Sequence, residues 1–474
     1  MTTTSTEDAG AAGAWRTEFA ALFALAWPLV VAQLAQNALF TTDVIMMGWL
    51  GPQFLAAGAL STAFFNPFFL AAVSIVGAVA PLVAQARGAR DVKAVRRIVR
   101  QGFWVAFLLA VLLLPFIWQV RPVLLAMGQD PAIVVLVEQY TQIVVWMFFP
   151  GLLMMPLRSL LSAFGDTWAI LLITLGGVAV NAGIAYTLMF GHFGFPALGL
   201  RGAAIATVTA NLLMFLAMLA FAVRHRRYRR YHILHRLAAP DWMRFREILR
   251  VGIPIGLTVL AEVGLFSVAS FLMGLLGTNE VAAHAVALQL ASLAFMVPLG
   301  IGIAATVRVG FAYGRRDREG VRKAGWTSIC AGTAFMAATC LLFVLMPERL
   351  VTIFLDPLDP ANREAIALAT VYLGIAGLFQ LADGAQVVAA HALRGLSDTT
   401  MPMAIAIAGY WIVGLPTAYL LGFPGGMRGL GIWLGLAAGL GIVALVLCAR
   451  FALRERFRLL GFPMATSAPD AAQS

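Results

Sequence analysis

Three carboxylates stand where a carboxylate is hardest to place. Asp43, Glu262 and Asp383 lie inside long apolar runs, whereas most of the 22 acidic residues sit at run ends or in loops. A charge at the centre of a bilayer costs roughly 2.5–3.5 kcal/mol on insertion scales, so such a group must face the protein interior or a water-filled cavity. Their polar neighbours recur at helical spacing. Gln33, Gln36, Phe40 and Asp43 share one helix face, as do Thr258, Glu262, Phe266 and Ser270, and then Phe379, Asp383 and Gln386.

The chemistry open to these groups is ion handling. A low-dielectric cavity pushes a carboxylate toward its neutral form, so it can take up and release a proton. With further oxygens nearby it can instead hold Na⁺, by analogy with hard cations that prefer oxygen ligands. Asn37, Asn181 and Thr207 are candidate neighbours in the first half of the chain; the plainer role for Asn or Thr in a membrane helix is a bond to another helix. Phe40, Phe64, Phe65, Phe266 and Phe379 could line an apolar cavity or simply pack. His284 and His391 could relay protons, or make structural polar contacts. Arg308 is expected to snorkel to the membrane interface.

The elements that position these residues follow from composition. Of 474 residues, 61% are apolar and 12% charged, with a mean hydropathy of +0.89. That excludes a soluble enzyme and a disordered chain. Apolar runs fall at 19–48, 54–86, 101–127, 132–157, 168–190, 199–223, 248–276, 281–312, 326–347, 363–393, 401–422 and 430–450. Each is long enough to cross a bilayer, which takes about 20 residues. Of the 33 Lys and Arg, the termini and even-numbered connections hold 28, and the odd-numbered connections hold Arg121, Arg201, Arg349, Arg363 and Arg428. Basic residues mark the inner side, so both termini are expected in the cytoplasm.

This ordering predicts an N-terminal tail over 1–18, a six-helix bundle over 19–223, a basic linker over 224–247, a second bundle over 248–450 and a C-terminal tail over 451–474. The net charge of +11 is then the inner-side excess. The linker reads as a loop held at an anionic leaflet, and no nucleic-acid partner is expected. Cys330, Cys340 and Cys448 show neither metal-ligand nor disulfide spacing. No cleavable signal peptide is expected, because the first apolar run continues into a full span.

The halves repeat. Gly88-Ala89-Arg90-Asp91 returns as Gly314-Arg315-Arg316-Asp317, and the same offset of 226 pairs Pro28 with Pro254, Gly48 with Gly274 and Gly51 with Gly277. Asp166-Thr167 matches Asp398-Thr399, and Gly202 matches Gly431. Six helices per half preserve orientation, so the expected fold is all-α, with 12 transmembrane helices in two parallel six-helix repeats. Parallel repeats characterise secondary transporters, with the substrate between halves that rock to alternate access. No Walker A pattern appears, and no cofactor is expected.

Four segments together resemble the multidrug and toxic compound extrusion (MATE) transporters, particularly the NorM-like branch. They are LAWPLVVAQLAQNALFTTDVIMMGWLG (25–51), AEVGLFSVASFLMGLLG (261–277), VAAHAVALQ (281–289) with GIGIAATVRVGFAYGRRD (300–317), and LADGAQVVAAHALRGLSDT (381–399). The resemblance runs from about residue 20 to 450. It implies a V-shaped protein exporting cationic or amphipathic compounds by Na⁺ or H⁺ antiport from a bacterial inner membrane, expected to be monomeric. It places Asp43, Glu262 and Asp383 on the family's coupling carboxylates and Asn181 on the helix 5 asparagine. Two departures, Ala185 where relatives often carry Asp or Asn and Phe379 where some carry Tyr, move the expectation from Na⁺ toward H⁺. The rival readings are a flippase of lipid-linked or metabolite substrates, which would need deep cationic residues, and a channel, which fits the internal repeat poorly.

Overall fold

The computed structural model describes residues 4–235 and 239–461. Positions 1–3 of the expected N-terminal tail, 236–238 of the linker and 462–474 of the C-terminal tail lie outside the described residues. Among the described residues, 12 helices are long and apolar enough to cross a membrane. They are α1 (Trp15–Leu50), α2 (Pro52–Gly88), α3 (Val92–Trp118), α4 (Pro131–Phe164), α5 (Thr167–Phe190) and α6 (Leu200–Arg224), then α7 (Trp242–Leu276), α8 (Thr278–Gly314), α9 (Arg318–Leu345), α10 (Arg363–Gly395), α11 (Thr400–Gly422) and α12 (Arg428–Ala452).

Each predicted run corresponds to one of these helices. The largest displacement is at α3, which begins at Val92 rather than near 101. Hydropathy starts the span only after the basic residues, but Asp91 caps the helix upstream of them, its side chain accepting from the Ala94 amide at 2.9 Å. At the equivalent position of the second half, Asp317 caps α9 by accepting from the Gly320 amide at 2.8 Å.

The internal repeat extends to the backbone. Left-handed φ values recur at matched positions: Arg90 (59°) with Arg316 (60°), Gly51 (129°) with Gly277 (140°), Gly165 (83°) with Ser397 (60°), and Gly199 (55°) with Arg428 (51°). Non-glycine residues seldom take this conformation, so two chain halves sharing it at the same places share their turns as well as their helices.

Within the first half α6 packs on α4 and α5, and α1 packs on α5; within the second α10 packs on α8, α9 and α12. The halves join where α1 meets α8, α7 meets α2, and the ends of α2 and α8 meet each other. Glycine makes these approaches possible. Gly300 of α8 lies on Val30 of α1, and Gly252 and Gly256 of α7 lie on Ile75 and Ala71 of α2. Gly88 and Gly314 each face backbone of the opposite helix, Phe311 and Gln85 respectively. This seam runs from mid-helix to the end that carries the basic connections. Gln85 Nε2 closes it further by donating to the Gly395 carbonyl at 2.8 Å and to Ser397 Oγ at 2.9 Å.

The Arg308 guanidinium binds the Glu18 carboxylate near the start of α1 through two contacts of 2.6 Å. The pair ties α8 to α1 and therefore one half to the other.

Candidate functional site

Asp43 sits in the C-terminal half of α1 and is buried. An apolar helix can carry it there because the adjacent helices supply donors. Asn181 of α5 donates through Nδ2 to one carboxylate oxygen at 2.7 Å, and Thr207 of α6 donates through Oγ1 to the other at 3.0 Å. Both donors are themselves buried. A donor on each oxygen suits the ionised carboxylate. The Asn181 Oδ1 is buried and has no hydrogen-bond partner among the described residues, so the cluster keeps an acceptor in reserve. Ala185, one turn further along α5, is fully buried and adds no polar atom.

Two of the other first-half candidates lie elsewhere. Gln36 accepts from Arg158 of α4 at 3.0 Å, and Gln33 accepts from the same guanidinium. Seven residues of helix separate Gln36 from Asp43, about 10 Å along the axis. The shared helix face therefore serves two different polar sites. Asn37 offers its backbone carbonyl to Thr41 at 3.2 Å.

In the second half, Glu262 of α7 lines a cavity of about 30 Å³ with Thr258, Gln386 and Arg394. That is room for one or two water molecules. Asp383 of α10 is buried nearby, and its Oδ1 has no hydrogen-bond partner among the described residues. The same holds of the buried Gln386 Oε1. Thr258 spends its hydroxyl on the Pro254 carbonyl at 2.8 Å.

The remaining candidates form an aromatic column. Phe266 meets Phe379 edge-on at 6.2 Å between centroids, Phe379 meets Trp433 at 5.9 Å, and Trp433 meets His284 at 5.4 Å. His284 Nε2 also lies 3.1 Å from Ser270 Oγ. His391 is placed apart from this column, with Nδ1 2.8 Å from the Val387 carbonyl and Nε2 3.1 Å from Arg394.

Several members of the site escaped sequence reasoning. Trp433 joins the column from α12, and Tyr410 stands beside Glu262, Asp383 and Gln386 from α11. Tyr410 belongs to a π-helical stretch, Ala408–Gly414; single turns of this kind gather at functional positions. Nothing in its own run marks it, because the burial of a tyrosine is set by the helices packed around it and not by its sequence neighbours. Glu280 stands at the edge of the 281–312 run, yet it is 3% exposed, accepting from Arg428 at 2.8 Å and from the Tyr372 hydroxyl.

The linker is anchored to the first half. Asp166 receives Arg227 at 3.0 Å and the hydroxyl of Tyr228. Burial, and then the bond to Asp166, push the Tyr228 hydroxyl pKa up.

Two repeated bundles of membrane helices, each with at least one carboxylate buried in its core, define a polytopic membrane protein built by duplication. The MatE family model matches the chain twice, over residues 28–187 and 254–420, and the two matches begin at the paired prolines. The chain belongs to the MatE family. A probable multidrug resistance protein NorM of Brucella suis is 44% identical over 442 residues, covering 93% of this chain and 94% of that protein. A protein of the same description from Rhizobium meliloti is 45% identical over 446 residues, covering 94% of each. Among solved structures, the MATE transporter VcmN of Vibrio cholerae matches with a TM-score of 0.85 at 17% identity, covering 94% of this chain and 99% of that one. A MOP superfamily transporter from Pyrococcus furiosus matches at 0.84 and 21%, covering 94% and 97%. The fold is thus the V-shaped two-bundle fold of these transporters.

Proposed function

We propose that this protein exports cationic or amphipathic drugs from the bacterial cytoplasm across the inner membrane, driven by inward movement of H⁺ or Na⁺. The observation that carries the reading is a buried carboxylate in each half, Asp43 with its two donors and Asp383 near Glu262, which lines a small cavity. The names of its relatives agree with that reading.

The cycle alternates two uses of the same groups. With the bundles joined at the cytoplasmic end, a cation arriving from outside neutralises Asp43 or the Glu262–Asp383 pair. Substrate held by those negative charges is then released outward. After the bundles reopen inward, loss of the cation restores the charge and attracts the next cationic substrate. A single chain holding both halves is sufficient for this. For Na⁺, the Asp43 carboxylate, Thr207 hydroxyl and Asn181 Oδ1 would supply oxygens; for H⁺, a carboxylate alone suffices.

Buried guanidiniums exist, but they do not favour a flippase for lipid-linked substrates. Arg158 is engaged by Gln33 and Gln36, and Arg394 contacts His391.

The test is ethidium efflux from energised cells lacking their own pumps, comparing wild type with Asp383→Asn and Asp43→Asn at equal membrane expression. Efflux by wild type and its loss in both variants, with Na⁺ supplied or withheld, would support the reading and identify the ion. Equal efflux by all three proteins would overturn the assignment of these carboxylates.

A further inference from the structure

A second cavity lies far from the buried carboxylates, at the end that carries the basic connections. Its volume is about 550 Å³, and its wall carries five guanidiniums: Arg87 and Arg90 from α2 and the turn after it, Arg227 and Arg230 from the linker, and Arg315 just past α8. Two phenylalanines hold three of these charges in a row. Phe164 lies under Arg227 at 5.5 Å and under Arg87 at 4.8 Å, and Phe311 lies under Arg87 at 5.0 Å and under Arg315 at 5.8 Å. The row runs from the linker through the first half to the second.

Like charges are not gathered in this way without a counter-charge. The one carboxylate among the described lining residues, Asp91, is engaged in capping α3. Arg227 has Asp166, Arg87 donates to the Ala163 carbonyl, and Arg230 donates to the Tyr231 hydroxyl at 3.0 Å. The side chains of Arg90 and Arg315 make no hydrogen bond among the described residues, and they come from opposite halves of the molecule. A planar guanidinium matches the paired oxygens of a phosphate, and a charge-assisted bond of this kind is about twice as strong as a neutral one.

We propose that this cavity binds a phosphate group, carried by an anionic lipid headgroup or by a soluble phosphate, and that the bound anion ties the two halves together at their cytoplasmic end. Arg90 and Arg315 are its principal ligands. An anion that touches both halves binds the joined state better than the parted one, and so shifts the population toward it. Anionic lipid is at hand, because basic pockets between helices on the cytoplasmic side commonly take such headgroups.

The full chain in uncharged detergent provides the test. Its thermal unfolding is followed against short-chain phosphatidylglycerol, phosphatidylcholine of the same chain length, and inorganic phosphate. Phosphatidylglycerol should raise Tm saturably, phosphatidylcholine should not, and Arg90→Gln/Arg315→Gln should bind at least about tenfold more weakly, the loss expected for one charged hydrogen bond or more. The control Arg226→Gln/Arg229→Gln, which removes linker charge outside the cavity, should respond like wild type. If Arg90→Gln/Arg315→Gln does not fold, Arg90→Lys/Arg315→Lys keeps the charge without the planar fork and should bind more weakly than wild type. An equal response to inorganic phosphate, lost in the same variant, would support the site and assign it to soluble phosphate. Identical responses from wild type and both cavity variants, a response lost only in the linker control, or no response to either anion would each overturn the proposal. Because the measured quantity is binding, its failure is distinguishable from failure of the transport reading.

Discussion

Glu18 of α1 and Arg308 of α8 hold the two halves of the molecule together through a pair of 2.6 Å contacts. Both side chains are mostly shielded, at 16% and 25% exposure, so the pair is not a freely solvated surface bridge of negligible strength. Leaving either partner alone in that setting costs about 1–3 kcal/mol, at the lower end while water still reaches it. Glu18→Gln and Arg308→Gln should therefore loosen the seam between the halves. A cysteine introduced at Ala21, which lines the cavity beside the pair, should react faster with a membrane-impermeant maleimide supplied on the side that carries the basic connections in either variant. The charge-swapped Glu18→Arg/Arg308→Glu should restore part of the protection. No change in labelling rate in any of the three would show that the pair does not hold the seam.

The glycine contacts lead to a sharper expectation. A methyl group added at Gly88 would collide with the Phe311 carbonyl, and one at Gly314 with the Gln85 carbonyl. The obstacle in each case is backbone, which cannot turn away as a side chain can. Overpacking of this kind costs about 1–3 kcal/mol, and here it falls on the joined state of the two halves. Gly88→Ala and Gly314→Ala should insert normally and reduce efflux several-fold by favouring separation at the end that carries the basic connections. Gly48→Ala, where an added methyl meets nothing within 4 Å, is the control. Matching efflux in all three variants would mean that the close approach is not needed for the cycle.

Much of this architecture is written in patterns that survive without coordinates. A span is a run of apolar residues, orientation is a count of Lys and Arg, and the duplication shows as recurring Gly, Asp and Pro. Asp43 and Asn181 were found for the same reason, because a polar residue in an apolar run is conspicuous. What was not legible depends on a partner. Gln36 looks like part of the Asp43 face until Arg158 is seen to hold it. Nothing in the run that carries Arg308 reveals its partner Glu18. Tyr410 and Trp433 are inconspicuous because aromatic residues are plentiful in membrane helices. The cavity of five arginines is assembled from α2, the linker and the end of α8, and no single segment announces it.

Glu280 offers a test of stability away from the proposed ion path. It accepts from Arg428 at 2.8 Å and from Tyr372, and Arg428 also donates to the Leu276 carbonyl at 3.2 Å. The carboxylate is buried while the Arg428 side chain is 62% exposed, so the two partners are not equivalent. Arg428→Gln strips a carboxylate that water barely reaches of the guanidinium paired with it, and leaving a buried charge uncompensated should cost about 3 kcal/mol or more. Tyr372→Phe leaves the same carboxylate short of one neutral donor and should cost about 1–3 kcal/mol. Thermal unfolding in detergent should rank Arg428→Gln below Tyr372→Phe. The reverse order would show that the buried hydroxyl, and not the ion pair, sustains Glu280.

The Asp43 cluster separates two roles for its donors. Asn181 and Thr207 could merely satisfy a buried carboxylate, or they could set how readily it exchanges its cation. Thr207 also bonds the Ala203 carbonyl at 3.1 Å, so its hydroxyl is shared, whereas the Asn181 amide is given to Asp43 alone among the described residues. Asn181 is therefore the stronger partner. Asn181→Ala leaves one carboxylate oxygen bare in an apolar setting, a change of about 1–3 kcal/mol in favour of the neutral acid. If protons drive export, the variant should hold its proton more tightly and release it to the cytoplasm more slowly. Efflux should then fall by about tenfold or more at neutral cytoplasmic pH and recover partly as that side is made more alkaline. Thr207→Val should show the same trend with a smaller loss. If Na⁺ is the coupling ion, Asn181→Ala should instead raise the Na⁺ concentration needed for half-maximal efflux, with little recovery in alkali. Export in inverted vesicles, with pH and Na⁺ set independently on each face, distinguishes these outcomes. A variant indistinguishable from wild type under every gradient would remove Asp43 and its donors from the coupling mechanism.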